Sequence, residues 1–245
     1  MTQPLPIASA PNARPMLRIE GLSKSFTLHG QGGTTITAFR NVDLRVDAGE
    51  CVALVGPSGA GKSSVLRAVS GNYLAQSGAI WLRHGDTWVD MATADHRQIL
   101  AVRRRTLGHV SQFLRVIPRL SALDVVAEPL TRRGVPAEDA TRHAADLLHR
   151  LRIDRRLMAL APATFSGGEQ QRVNIARGLI ADPPILLLDE PTASLDKANR
   201  DTVVALIDEA KARGAAILGI FHDADVRDQV ADRVHPMTGE HPNDN

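Results

Sequence analysis

The chain has 245 residues, 43% of them apolar and 3% aromatic, with a net charge of +2 and a pI of about 9.0. That length suits one sizeable domain carrying an inserted subdomain, over a core of Ala, Val, Leu and Ile. No stretch approaches the ~20 apolar residues of a membrane span, the one cysteine, Cys51, excludes an internal disulfide, and Arg103-Arg104-Arg105 is too short a basic run for nucleic-acid binding.

Met1 to Pro15 holds four prolines and no apolar run, so it reads as a disordered extension and not a signal peptide. Leu17–Leu22 reads as a first edge strand. Gly30–Gly33 reads as a turn, and Thr35–Phe39 and Val42–Val46 as two further strands. Cys51–Val55 is a short buried strand. It runs into Gly56-Pro57-Ser58-Gly59-Ala60-Gly61-Lys62-Ser63, and a helix follows from Ser63 to Ser70. A strand, a G-x-x-x-x-G-K-[ST] loop and a helix together make a triphosphate cradle. Its glycines let backbone N–H groups turn inward, and the helix N-terminus adds positive potential. Gly56, Ser58, Gly59, Gly61, Lys62, Ser63 and Ser64 form the phosphate-binding set, with Lys62 on the β/γ-phosphates and the Ser63 hydroxyl on Mg²⁺.

Gly78 to Val89 alternates and turns at His84-Gly85-Asp86, which predicts a hairpin. Arg103-Arg104-Arg105 falls in a predicted helix and reads as a solvated face or a partner contact. Ala122–Leu160 is helical in pattern, broken at Gly134-Val-Pro136. Ser166 is a good N-cap for the helix that runs on to Leu179. Ile185-Leu-Leu-Leu-Asp189-Glu190 is an uninterrupted apolar run ending in two carboxylates, as a strand buried on both faces of a parallel sheet would. Asp189 is placed to address Mg²⁺, and Glu190 to act as general base on the attacking water. A helix over Lys197–Arg213 ends at Gly214, and a last buried strand, Ala215–Phe221, delivers His222 to the sheet edge. The polar tail from His235 to Asn245 is predicted to be loose.

Phe165-Ser166-Gly167-Gly168-Glu169-Gln170-Gln171-Arg172 resembles the signature loop of ATP-binding-cassette ATPases, with Phe165 where that family usually has Leu. Taken alone, Ser-Gly-Gly is an ordinary capped turn. Its place just upstream of the Asp189-Glu190 strand, in one chain with the phosphate loop, gives the resemblance its specificity. The resemblance covers Leu17 to Met237. It implies an α/β P-loop NTPase of the ATP-binding-cassette type, with an antiparallel β subdomain and an inserted helical subdomain at roughly 113–180. The cassette would span 16–237, between an extension at 1–15 and a loose tail at 238–245. ATP and Mg²⁺ are the implied cofactors. Gln112 would reach Mg²⁺ and the water, His222 would sense the γ-phosphate, and Phe26 would stack on adenine, where the family more often has Tyr. Ser194-Leu195-Asp196 would couple two sites across a dimer. The family pairs head to tail, so Ser166, Gly167 and Gly168 of one chain would close over the γ-phosphate held by a second cassette chain, a copy or a related subunit.

Val110–Val126, Ala161–Gly178, Arg213–Arg227, Val230–Met237 and the hairpin His84–Asp90 further resemble the L-type ATP-binding subunits of the bacterial phosphonate carbon–phosphorus lyase system. That resemblance implies a cytoplasmic ATPase partnered by soluble lyase subunits. It would support formation of α-D-ribose 1-methylphosphonate 5-triphosphate from ATP and methylphosphonate. The single cysteine fits such a reducing compartment. The other reading is the nucleotide-binding subunit of a transporter of the lipoprotein- or macrolide-export type, which shares the wording of Thr192–Asp196 and of the signature loop. A third reading is an ATP-dependent clamp that does not hydrolyse; the intact Glu190 and His222 argue against it.

Overall fold

The computed structural model of the chain describes residues 14–28, 30, 33–114 and 119–238. Two sheets organise it. The first is antiparallel. It contains β1 (Pro15–Leu28), β2 (Thr34–Asp47), β4 (Ser77–His84) and β5 (Thr87–Asp90), in the order β2-β1-β4-β5. The second contains β3 (Cys51–Val55), β6 (Leu107–Val110), β7 (Ile185–Asp189), β8 (Ala216–Ile220) and β9 (Arg233–Pro236). Its order is β6-β7-β8-β3-β9, and every pairing is parallel.

The parallel sheet is covered on both faces, and its strands show this residue by residue. Leu186 and Leu188 of β7 join one core cluster while Ile185 and Leu187 join the other. Cys51 and Ala53 of β3 face the first cluster, Val52 and Leu54 the second. This is the period-two alternation of a strand with apolar neighbours on each side. Among the described residues, six α-helices lie along the chain between β3 and β7: α1 (Lys62–Val69), α2 (His96–Arg105), α3 (Ala122–Thr131), α4 (Ala137–Arg150), α5 (Arg155–Met158) and α6 (Gly167–Leu179). The first cluster contains the buried faces of α3, α4 and α6, and of α7 (Lys197–Ala212) and α8 (Ala224–Val230). The second is filled by α1 and the inner face of the antiparallel sheet.

The strand-loop-helix unit, the hairpin and the break at Gly134-Val-Pro136 stand where the sequence puts them. Gly134 has φ 90°, and Pro136 is the N-cap of α4. Five expectations are corrected. Leu17–Leu22 is not an edge strand, because β1 lies between β2 and β4. The segments 35–39 and 42–46 form one strand, β2. Leu22 pairs with Val42 and Lys24 with Phe39, so β2 carries an extra residue and bulges where Asn41 has φ 45°. A bulge bends a strand without ending its pairing. The boundary near residue 15 lies within the sheet, since Pro15 already pairs with Asp47 and Ala48 donates to the Arg14 carbonyl. Arg103 is not a solvated charge. Its guanidinium donates to the Ser70 carbonyl at 2.7 Å and to Asn72 at 2.7 Å, and burial lowers its pKa. The tail is not loose from His235, because His235 and Pro236 pair with β3 in β9 and the Met237 N–H donates to the Val55 carbonyl; residues 1–13 and 239–245 lie outside the described residues.

Cys51 is fully buried in β3, and burial pushes its thiol up to about 12. The thiolate is the reactive form. A maleimide at pH 8 is therefore expected to leave native Cys51 unmodified and to label it after unfolding in urea, read by intact mass.

Candidate functional site

Where β3 ends, the chain turns through Gly56–Gly61 and enters α1. Two backbone approaches fix this loop. A Cβ on Gly61 (φ 82°) would stand 2.0 Å from the Ala38 carbonyl, and one on Gly56 would stand 2.3 Å from the Met237 carbonyl. The loop is thus wedged between β2 and the end of β9, and only glycine fits there. Gly61 is also the N-cap of α1, with no side-chain hydrogen bond to the helix. The opening N–H groups of α1, at Lys62, Ser63 and Ser64, are left for an anion. The Lys62 ammonium lies over the same loop, donating to the carbonyls of Gly56 at 2.8 Å and Pro57 at 2.7 Å. Its partners are neutral, so its charge is available to a phosphate. Ser58 and Gly59 are exposed.

The second wall is the end of β7. The Ser63 hydroxyl donates to Asp189 at 3.0 Å, joining the start of α1 to β7 across 126 residues. Asp189 is 3% exposed. Burial pushes its carboxyl above the usual range, the Ser63 hydroxyl pulls it back, and Glu190 beside it pushes up again. A buried carboxylate and a hydroxyl in contact fit a hard divalent cation. No group of three or more His, Cys, Asp or Glu gathers as a cation site among the described residues. A cation at Ser63 and Asp189 would therefore complete its shell with phosphate oxygens and water.

Glu190 leaves the strand in a left-handed conformation, φ 52°, with its N–H donating to the Ile220 carbonyl at 3.0 Å. Such a conformation costs a non-glycine residue about 1–3 kcal/mol and survives only where its surroundings enforce it. Its carboxylate accepts from the Gln112 amide at 3.4 Å, the long end of hydrogen-bond range. Gln112 follows β6, so the C-terminal ends of β3, β6 and β7 converge here, as ligand sites do in open α/β sheets.

His222 is exposed just past β8, and β8 is an interior strand. The histidine therefore lies at the C-terminal end of the sheet and not at a lateral edge. Asp196 is the N-cap of α7, accepting from the Asn199 N–H at 2.8 Å. Ser166 caps α6 in a reciprocal capping box with Glu169, and Gly167 is exposed beside it. Phe165 is buried, as an apolar residue in that place should be. A Cβ on Gly168 would lie 3.1 Å from the Ser194 carbonyl, so α6 begins against the segment that follows Glu190. Phe26 stands on β1 opposite Ile36, edge-on to Tyr73 at 5.1 Å between centroids, with the Lys24 ammonium 5.1 Å from its ring.

Three connecting residues make contacts that the motifs do not reveal. Buried Gln171 donates to the Pro191 carbonyl at 3.1 Å, and buried Asn174 to the Ser111 carbonyl at 2.5 Å, so α6 is bonded to both catalytic-side loops. Arg200 of α7 pairs with Asp223, the residue after His222. Polar residues inside an otherwise apolar helix face are the signal that could have found the first two.

Residues 39–193 match the protein family described as ABC transporter. The chain is 41% identical over 191 residues to the lipoprotein-releasing system ATP-binding protein LolD of Ruegeria sp., covering 78% of this chain and 81% of that one. It is 40% identical to LolD of Maricaulis maris, covering 84% and 88%. It is also 35% identical to the macrolide export ATP-binding/permease protein MacB of Rhodopseudomonas palustris, covering 87% of this chain and 32% of that one. The dimeric post-hydrolysis structure of the ATP-binding cassette MJ0796 bound to ADP and Pi is similar in fold, with a TM-score of 0.83 at 28% identity, over 91% of this chain and 95% of that one. These relatives overturn the likeness to carbon–phosphorus lyase subunits, and with it the role in phosphonate breakdown and the soluble lyase partners. The motifs behind that likeness surround the shared nucleotide site, which says little about what a cassette drives. Part of the run quoted for it, 115–118, lies outside the described residues.

Lys62→Ala removes the side-chain cation seated on the loop. Affinity for a fluorescent ATP analogue is expected to fall at least tenfold, since hydrogen bonds to charged groups contribute ~1.5–3 kcal/mol. Unchanged affinity would mean that the loop is not the phosphate site.

Proposed function

The chain belongs to the ABC transporter family of ATP-hydrolysing cassettes, which take ATP with Mg²⁺, and we propose that it is the nucleotide-binding subunit of an exporter of the lipoprotein-releasing or macrolide-export kind. The observation that carries this reading is the likeness to the LolD proteins along most of both chains. The convergence of Lys62, Ser63, Asp189, Glu190 and Gln112 supports hydrolysis as the work it performs.

In that work Lys62 and the first N–H groups of α1 hold the β- and γ-phosphates, and Ser63 and Asp189 would hold Mg²⁺. Mg²⁺, when bound, neutralises charge on the phosphate oxygens. Gln112 and Glu190 orient the attacking water. As that water adds to the γ-phosphorus and the bond to the β-phosphate oxygen breaks, its proton passes to the Glu190 carboxylate. ADP and phosphate leave. His222 faces the γ-phosphate, and Phe26 lies against the adenine. Ser166, Gly167 and Gly168 act on the nucleotide of a second cassette chain, in keeping with the dimeric cassettes of similar fold.

No helix among the described residues is long and apolar enough to cross a membrane. In the transporter reading, force passes from the cassette to a membrane-spanning permease. Phe113 is 75% exposed directly after Gln112, on the surface that this reading gives to the permease contact.

Glu190→Gln keeps the shape and loses the base. ATP is expected to bind as in wild type while turnover falls 10²–10⁴-fold and a closed dimer accumulates in size-exclusion chromatography with Mg²⁺-ATP. Turnover at the wild-type rate would reassign the base. Gentle purification of the tagged chain from detergent-solubilised membranes, with Mg²⁺-ATP, is expected to bring down a multi-span permease identified by mass spectrometry. Recovery of soluble partners alone would reject the transporter reading.

A further inference from the structure

The segment after Glu190 is bonded to three neighbours at once. Gln171 of α6 holds the Pro191 carbonyl, the start of α6 presses on the Ser194 carbonyl, and Asp196 caps α7. One turn into α7, Arg200 pairs with the Asp223 carboxylate. Asp223 also accepts from the Asp225 N–H at 2.9 Å, capping α8, so both of its oxygens are engaged. The half-buried Asp223 side chain is thereby locked in place directly beside His222, which is exposed and leaves β8 at the same point. Arg200 and Asp196 share the opening turn of one helix. Arg200 therefore connects the helix that Asp196 caps to the residue after His222.

We propose that Arg200 is a positioning residue: it holds Asp223, fixes where His222 stands, and ties that position to the Ser194–Asp196 segment. The proposal rests on the ATPase reading above and adds to it a physical link between that segment and the histidine. Arg200 does not touch nucleotide; it acts through Asp223. A long guanidinium with several donors suits this role, since it reaches 23 residues along the chain to a carboxylate that is already capping a helix.

The test is steady-state ATP hydrolysis by the full chain, with its copurifying partner, for wild type, Arg200→Ala, Arg200→Lys, Asp223→Asn and the double variant Arg200→Ala/Asp223→Asn. The thermal midpoint of each is read in the same buffer. Asn retains the ability to cap α8, so Asp223→Asn removes the charge pair and spares the helix. Arg200→Ala is expected to lower kcat roughly tenfold to a hundredfold, the scale of a displaced catalytic group, with KM for ATP within about twofold. Arg200→Lys is expected to recover most of kcat. The double variant is expected to be no slower than the worse single one, because both lose the same contact. A purely structural role would instead lower the thermal midpoint and leave kcat per folded molecule intact. That result, a kcat within about twofold of wild type, or losses that multiply in the double variant would overturn the proposal. If Arg200→Ala fails to fold, Arg200→Lys and Asp223→Asn decide it by the same kcat-against-KM comparison. Wild type that hydrolyses no ATP with its partner would reject the ATPase reading itself, and the proposal with it; normal wild-type turnover with an indifferent Arg200→Ala rejects the proposal alone.

Discussion

Everything at the candidate site depends on five parallel strands being buried on both faces. Because β6, β7, β8, β3 and β9 all run the same way, each ends at the same edge of the sheet. The phosphate loop, Asp189, Glu190, Gln112 and His222 follow the ends of four of those strands, so residues up to 166 positions apart in the chain meet at one edge. An antiparallel arrangement would send alternate loops to opposite ends. Parallel pairing is possible only with long crossovers, and the helices that supply them also cover the apolar faces that such strands must hide.

On this frame the chain leaves several groups without full compensation. The first N–H groups of α1 lack a side-chain cap. Lys62 is bonded only to neutral carbonyls. Asp189 is buried with its acidity weakened, and Glu190 stands in a backbone conformation that non-glycine residues avoid. Each of these is a small cost to the empty fold. Each is offset when a polyanion and a divalent cation arrive, since positive loop, buried carboxylate and cation then neutralise one another. Core burial elsewhere tolerates that cost: the interior strand β7 is buried along its whole length.

The same logic explains why the chemistry is legible and the biological role less so. Phosphate geometry is universal, and a loop that cradles it must carry particular residues. What a cassette drives is decided on the surface that meets its partner, where shape and charge can vary freely. Short runs around Gln112 and Ser166 therefore resemble more than one branch of the family. Likeness along 84% of the chain to the LolD proteins weighs the whole surface and core together, and it favours a transporter subunit.

By itself the sequence determined the cassette. The glycine-lysine loop, the apolar strand ending in Asp189-Glu190, the capped signature helix at Ser166 and the helix breaks at Gly134 and Pro136 are local features, enforced by backbone sterics and hydrogen-bonding needs within a few residues. The tertiary structure decided what depends on distant neighbours. It put β1 in the middle of its sheet, joined two predicted strands through the bulge at Asn41, and turned Arg103 from a surface charge into a bridge between α1 and α2. It also paired Ser63 with Asp189, Gln112 with Glu190 and Arg200 with Asp223. None of these pairs has a spacing that a motif could encode. Each is set by how strands order themselves within a sheet, and that order follows from packing the whole chain.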